Sequence, residues 1–200
     1  MFEVELGAEA ILMSRRSLCL LLLLLASAAG PCLANYSELG LCPVTPRQAD
    51  LRPAAMAGLW YEQMRYFDPG FGARCTRWHL APADTGDGAL LLNETRLEAA
   101  DGSLYETVEV LLPAGDRGQQ LSSPRFDHIV VADTDYTRHA VLLLCRQHDG
   151  FNARTVVVLT RLREPEWLRV RATLDLLETF GLRVDRLVRT PQEDCPDDDQ

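Results

Sequence analysis

Lysine is missing from this chain. Its 20 basic side chains are all arginine, set against 29 Asp and Glu for a formal charge of −9. Without a lysine amine there is no Schiff-base chemistry. The acidic balance argues against nucleic acid or an anionic membrane as the main partner. No C-x-x-C pair and no His/Cys cluster stands at zinc-ligand spacing, so no metal site is expected. A G-x-S-x-G elbow for a serine nucleophile is also lacking. Internal repeats are absent, and beyond the N-terminal region no apolar run approaches the roughly 20 residues that cross a bilayer. A transmembrane segment is therefore not expected.

What is present begins with an address. Arg15 and Arg16 precede the apolar run Leu18–Ala29, which closes on small residues. That is the order of a secretory signal peptide. We assign residues 1–34 to it, with cleavage after Ala28 or Ala34 and Met13 as a second candidate initiator. Residues 35–200 form one domain, expected to be secreted and extracellular. Cys42, Cys75, Cys145 and Cys195 remain in the mature chain. An even set in an oxidising compartment implies disulfides, and spacing leaves the connectivity open.

After a Pro-rich lead-in with one helical turn, short runs rich in Val, Leu, Tyr and Thr recur between turn residues. They predict strands near 59–66, 75–81, 89–98, 103–112, 119–123, 127–133, 137–146 and 154–162. Eight antiparallel strands suffice to close a barrel that holds a small ligand. The segment EPEWLRVRATLDLLETFG then places Trp167, Val170, Leu174 and Leu177 at helical steps, widened by Leu176 and Phe180. Pro165 suits its first turn and Gly181 its C-terminal cap. RVDRLVR predicts a final short strand, and the acidic tail reads as a solvated terminus.

Three blocks carry a family resemblance. Gly58-Leu59-Trp60 opens the first barrel strand, Thr134-Asp135-Tyr136 sits at a turn, and Arg161 ends the last strand just before the helix. In this order and spacing they resemble the three short motifs of the kernel lipocalins. LGLCPV, GARC, LLNET and the TDY before Cys145 are most similar to the apolipoprotein D and Lazarillo-like branch. The resemblance implies an all-β fold, an eight-stranded antiparallel up-and-down β-barrel with one C-terminal α-helix packed on it. It implies the pairings Cys42–Cys145 and Cys75–Cys195. It further implies that Trp60 plugs the closed end, with Arg161 stacked over it from outside.

The function implied is carriage of a small hydrophobic ligand (a fatty acid, sterol, retinoid or tetrapyrrole) by a non-catalytic monomer without a cofactor. Strand alternation from Trp60 and Arg161 assigns Glu62, Met64, Thr155, Val157 and Leu159 to the lining. Tyr105 and Phe126 are candidate aromatic mouth residues. Val157 stands where the apolipoprotein D-like branch carries a pocket tryptophan, which puts a steroid-like preference in doubt. Asn93 has two readings: a glycosylation sequon in NET, or a polar contact inside the cavity, which we expect. Asn35, in NYS, is a second sequon. Rival readings are a haem or tetrapyrrole carrier using His79, His128, His139 or His148, and a lipocalin-type isomerase with a reactive cysteine. A third is a protein-binding module whose loop YFDPGFG meets a receptor or lipoprotein particle.

Overall fold

The computed structural model describes residues 36–66, 72–85, 87–115 and 119–196, with only the backbone of Tyr36 and Arg169. They belong to one compact unit, 34–200. The signal-like segment, Asn35, the centre of the YFDPGFG loop and the last four residues of the acidic tail lie outside the described residues.

A short strand, β1 (Tyr36–Leu39), leads through a 3-10 turn at Pro53–Met56 into the barrel. The barrel strands are β2 (Gly58–Tyr66), β3 (Ala73–Pro82), β4 (Leu90–Glu98), β5 (Leu104–Ala114), β6 (Gln120–Ser122), β7 (His128–Thr134), β8 (His139–His148) and β9 (Phe151–Thr160). Each is antiparallel to the one before, and β9 returns to β2, with Tyr61–Arg65 against Val157–Thr160. The result is a closed eight-stranded barrel, which leaves no free edge along its circumference. The eight expected strands are all present, with ends moved by up to three residues. β9 starts earlier than expected because Asp149-Gly150 alone turns the chain, pairing His148 with Phe151.

Two short strands extend the seam. β1 pairs with Phe151–Arg154, where β9 has run past β2, and an Arg154–Glu38 ion pair joins them. β10 (Leu187–Arg189) pairs with Met64–Tyr66. The bridges Cys42–Cys145 and Cys75–Cys195 tie the lead-in to β8 and the tail to β3.

The helix α1 (Trp167–Thr179) lies on the outside of the barrel. Val170, Leu177 and Leu182 join Val141, Leu143, Val156 and Val158 in one outer core, with Leu174 packed against it. Trp167, Leu176 and Phe180 do not share that face and are at least 38% exposed; Trp167 instead lies under the Arg189 guanidinium at 5.7 Å. The apolar stripe is thus narrower than the sequence predicted, and Thr173 fills the place of a larger side chain. Pro165 falls just ahead of the first helical turn. At the other end Gly181, at φ +79°, donates to Glu178 O while Leu182 donates to Leu177 O, and both leucines are buried. This pair of bonds, with its apolar clasp, is a Schellman termination.

Candidate functional site

The three sequence blocks meet at one end of the barrel. Trp60 is fully buried and donates its indole N–H to Met56 O at 2.7 Å. The Arg161 guanidinium stacks 3.6 Å from the Trp60 ring. Its fork donates to Leu59 O and Ala57 O, both at 2.8 Å, and its Nε to Tyr136 O at 3.1 Å. Gly58 is required at the crossing: its φ is +101°, and a Cβ there would sit 3.0 Å from Arg161 Nη1.

The middle block forms the facing turn. Thr134 Oγ1 donates to His139 O and accepts from Tyr136 N–H. Asp135 Oδ1 accepts from the N–H groups of Thr137, Arg138 and His139. Burial pushes the Asp135 carboxyl up, but the Arg138 side chain and these backbone donors outweigh it and hold it well below the usual carboxylate range. Tyr136 reaches the lead-in, its hydroxyl accepting from Arg52 N–H under the Arg52 guanidinium. One end of the barrel is therefore bolted shut by side chains from three separate segments.

The interior above this floor has two unlike walls. On β6–β9 the buried inward residues are aliphatic, among them Leu121, Ile129, Val131, Leu142, Val157 and Leu159. On β2–β5 the lowest layer is apolar, from Trp60, Leu80, Leu90, Leu92 and Leu111. Higher on those strands the inward positions carry charge. Arg65 pairs with Glu62 at 2.7 Å and lies 3.9 Å from Glu94, while Arg96 lies 3.6 Å from Glu94. Arg125, from the β6–β7 loop, reaches in to Glu94 at 2.9 Å and to Glu109 through its Nε at 2.9 Å. Burial raises the Glu62 carboxyl, with Arg65 and Thr190 opposing and Glu94 adding to the rise.

Several expected lining residues are where alternation put them, and two are not. Val157 and Leu159 belong to the interior cluster, and Phe126 packs against it from the β6–β7 loop. Tyr105 stands at the rim beneath Arg96, 3.9 Å from its guanidinium. Met64 instead packs on the outer core with Tyr66. A β-bulge between Glu62 and Met64 inserts a residue, so Arg65 takes the inward place. Asn93 also faces outward: it is opposite His79 and Val108, and donates to Glu106 Oε1. Its neighbours Glu94 and Leu92 hold the inward positions.

Other residues weighed above fall elsewhere. His79, His128 and His139 are on outward positions, and His148 stacks on Phe151 at the open rim, 4.6 Å between rings. The four described cysteines are all disulfide-bonded. His139 meets Asp133 at 3.0 Å, and Thr173 donates to the same carboxylate oxygen at 2.6 Å, joining helix to barrel. A groove of about 170 Å³ runs outside the barrel between Cys42–Arg47 and Val130, Leu143 and Cys145. Among the described residues no cluster suited to a metal ion occurs, and no helix is long and apolar enough to cross a membrane.

A closed eight-stranded antiparallel barrel, bolted at one end and carrying one C-terminal helix, is the lipocalin fold. Solved structures bear the likeness out at the level of fold. Lobster apocrustacyanin A1 is 23% identical over 83% of this chain and 97% of its own, with a TM-score of 0.67. Insecticyanin from the tobacco hornworm Manduca sexta is 16% identical over 80% of this chain and 91% of its own, with a TM-score of 0.65. A siderocalin, Ex-FABP, is 17% identical over 68% of this chain and 94% of its own, with a TM-score of 0.57. No protein-family model and no curated protein sequence matches the chain.

Proposed function

We propose that this chain is a secreted, monomeric carrier that holds a small hydrophobic ligand inside its barrel and performs no catalysis. The observation that carries this reading is the interior itself: an end sealed by Trp60 and Arg161, below a wall that is aliphatic from β6 to β9. An enclosed apolar surface with a few placed polar groups is the general form of a small-molecule site. The solved structure of the siderocalin Ex-FABP, described as working through dual ligand specificities, supports the same use of the fold. The paired disulfides and the signal-like N-terminus support an extracellular setting. Within the fold, the blocks LGLCPV, GARC and LLNET favour the apolipoprotein D-like branch.

The test is recovery of the secreted protein under mild conditions, followed by extraction and mass spectrometry of bound small molecules. A stoichiometric apolar compound is expected. Titration with fatty acid, retinol, sterol and tetrapyrrole while following tryptophan fluorescence checks the same claim. An empty barrel that no member of the panel quenches would overturn it.

A further inference from the structure

We infer that Asn93 is an N-glycosylation site, and that its glycan covers an apolar patch on the outer face of β3–β5 and keeps the folded chain from self-association. This rests on the secretory part of the reading above. It concerns the outside of the barrel and holds whatever the interior carries.

The patch follows from strand phase. An antiparallel sheet with one wet face ordinarily alternates apolar-in with polar-out. β5 does the reverse over much of its length. Its inward Thr107 and Glu109 are polar, whereas the outward Val108, Val110 and Leu112 are apolar. Leu91, opposite Val110 on β4, widens the strip. Val108 is 58% exposed, Leu112 45% and Leu91 39%. The outer core beneath α1 takes no residue from β3, β4 or β5, so the helix leaves this face uncovered. A lone exposed leucine is ordinary, but a contiguous apolar patch marks a surface with something to meet.

Asn93 stands beside that strip, directly opposite Val108 and two residues along β4 from Leu91. It opens Asn93-Glu94-Thr95, the acceptor pattern for N-glycosylation. Its amide oxygen is buried, while Nδ2 donates to Oε1 of the exposed Glu106 at 2.6 Å. A carboxylate oxygen only accepts, so nitrogen is the atom that must face it. The reactive nitrogen is therefore at the solvent end of the amide. In the transfer, made on the unfolded chain, Nδ2 bonds to the anomeric carbon of an oligosaccharide carried on a lipid diphosphate. The lipid diphosphate leaves with the bonding pair, and the nitrogen gives up one proton to a base. One N–H remains, which suffices for the bond to Glu106. Leu112 lies four residues beyond Val108, about 13 Å at strand spacing, a distance that a few linked sugars span. A bulky, hydrated glycan fixed at Asn93 solubilises the strip beside it.

The experiment secretes the full-length chain from an animal cell line and digests it with trypsin, with and without peptide N-glycosidase. Cleavage after Arg77 and Arg96 releases the peptide Trp78–Arg96, whose only sequon is that of Asn93. The sugar-free peptide is expected only after the glycosidase, with aspartate at position 93. Asn93→Gln is expected to lose the glycan and Thr95→Ser to keep it, since serine also completes the sequon. Sedimentation of the folded protein then tests the cover. The glycosylated wild type is expected to stay monomeric, and the glycosidase-treated protein to sediment faster as concentration rises. Asn93→Gln, with the Asn35 sequon intact, is expected to behave like the treated protein. The Val108→Thr/Leu112→Thr double variant is expected to stay monomeric with or without the glycan. A secreted protein with no sugar on Asn93, monomer or dimer, overturns the proposal and leaves secretion standing. A glycosylated protein that stays monomeric after treatment, or a treated double variant that associates as the wild type does, overturns the cover. Retention inside the cell with sugar on Asn93 refutes secretion and supports the site.

Discussion

Arg161 concentrates more of the fold's logic than any other side chain. It holds a cation–π contact with Trp60 and three carbonyl hydrogen bonds from segments distant in sequence. A lysine in its place keeps the charge but has no planar fork, so two of the three carbonyls lose their donor. Arg161→Lys is expected to cost about 2–3 kcal/mol, measured by urea unfolding, and to leave the Trp60 emission more solvent-exposed. Glu62 works in the opposite sense. Its folded pKa lies above the ordinary value of 4.5. Below that value both folded and unfolded chains are protonated there, and the group is neutral in the balance. As pH rises past it, the unfolded chain releases the proton while the folded one retains it, so stability falls until the folded value is passed. Glu62→Gln cannot titrate. Its melting temperature is expected to gain on the wild type as pH rises from 4 towards 7, and a constant difference across that window would refute the assignment.

Among elements, α1 owes its docking to its last turn as much as to its buried face. Gly181 has φ +79° and no atom within 4 Å of where a Cβ would be, so substitution there tests backbone conformation with no added clash. Gly181→Ala is expected to cost about 1 kcal/mol and Gly181→Asn less, since asparagine visits that conformation more readily; thermal melts of the two variants check the order. This termination was legible because a glycine after an apolar periodic run answers a local chemical need. The three blocks that seal the barrel were legible only together, through their resemblance to the lipocalin motifs, since Gly58-Leu59-Trp60 alone says no more than that a strand begins. Strand phase was harder to read. On β4 the run Leu90-Leu91-Leu92 has no alternation to follow, and the charged Glu94 and Arg96 that fix its phase face inward, the reverse of the usual pattern. Asn93 was therefore placed on the wrong face. Met64 was misplaced by the bulge in β2, which a count of residues does not reveal. β1 was missed because its only reason to pair is the bare overhang of β9.

For the whole molecule, the two disulfides do different work despite spanning similar lengths of chain. They close loops of 103 and 120 residues, and in the chain-entropy model each contributes about 4–5 kcal/mol, a near tie. What differs is the structure each secures. Cys42–Cys145 anchors the lead-in beside β8. Cys75–Cys195 anchors a tail whose Thr190 hydroxyl donates to Glu62 Oε1 at 2.8 Å and whose Gln192 amide donates to Glu62 O and Thr76 O. That tail is part of what keeps Glu62 dry. Replacing Cys75 and Cys195 together by serine is expected to lower stability by about 3–5 kcal/mol and to let water reach Glu62. Its pKa then relaxes towards the ordinary value, and the fall in stability with rising pH flattens. The Cys42/Cys145 double variant is expected to lose a similar amount while keeping the wild-type pH slope. Melting curves of both double variants between pH 4 and 7 separate the two effects, and parallel slopes in the pair would show that the tail does not shield the charged wall of the barrel.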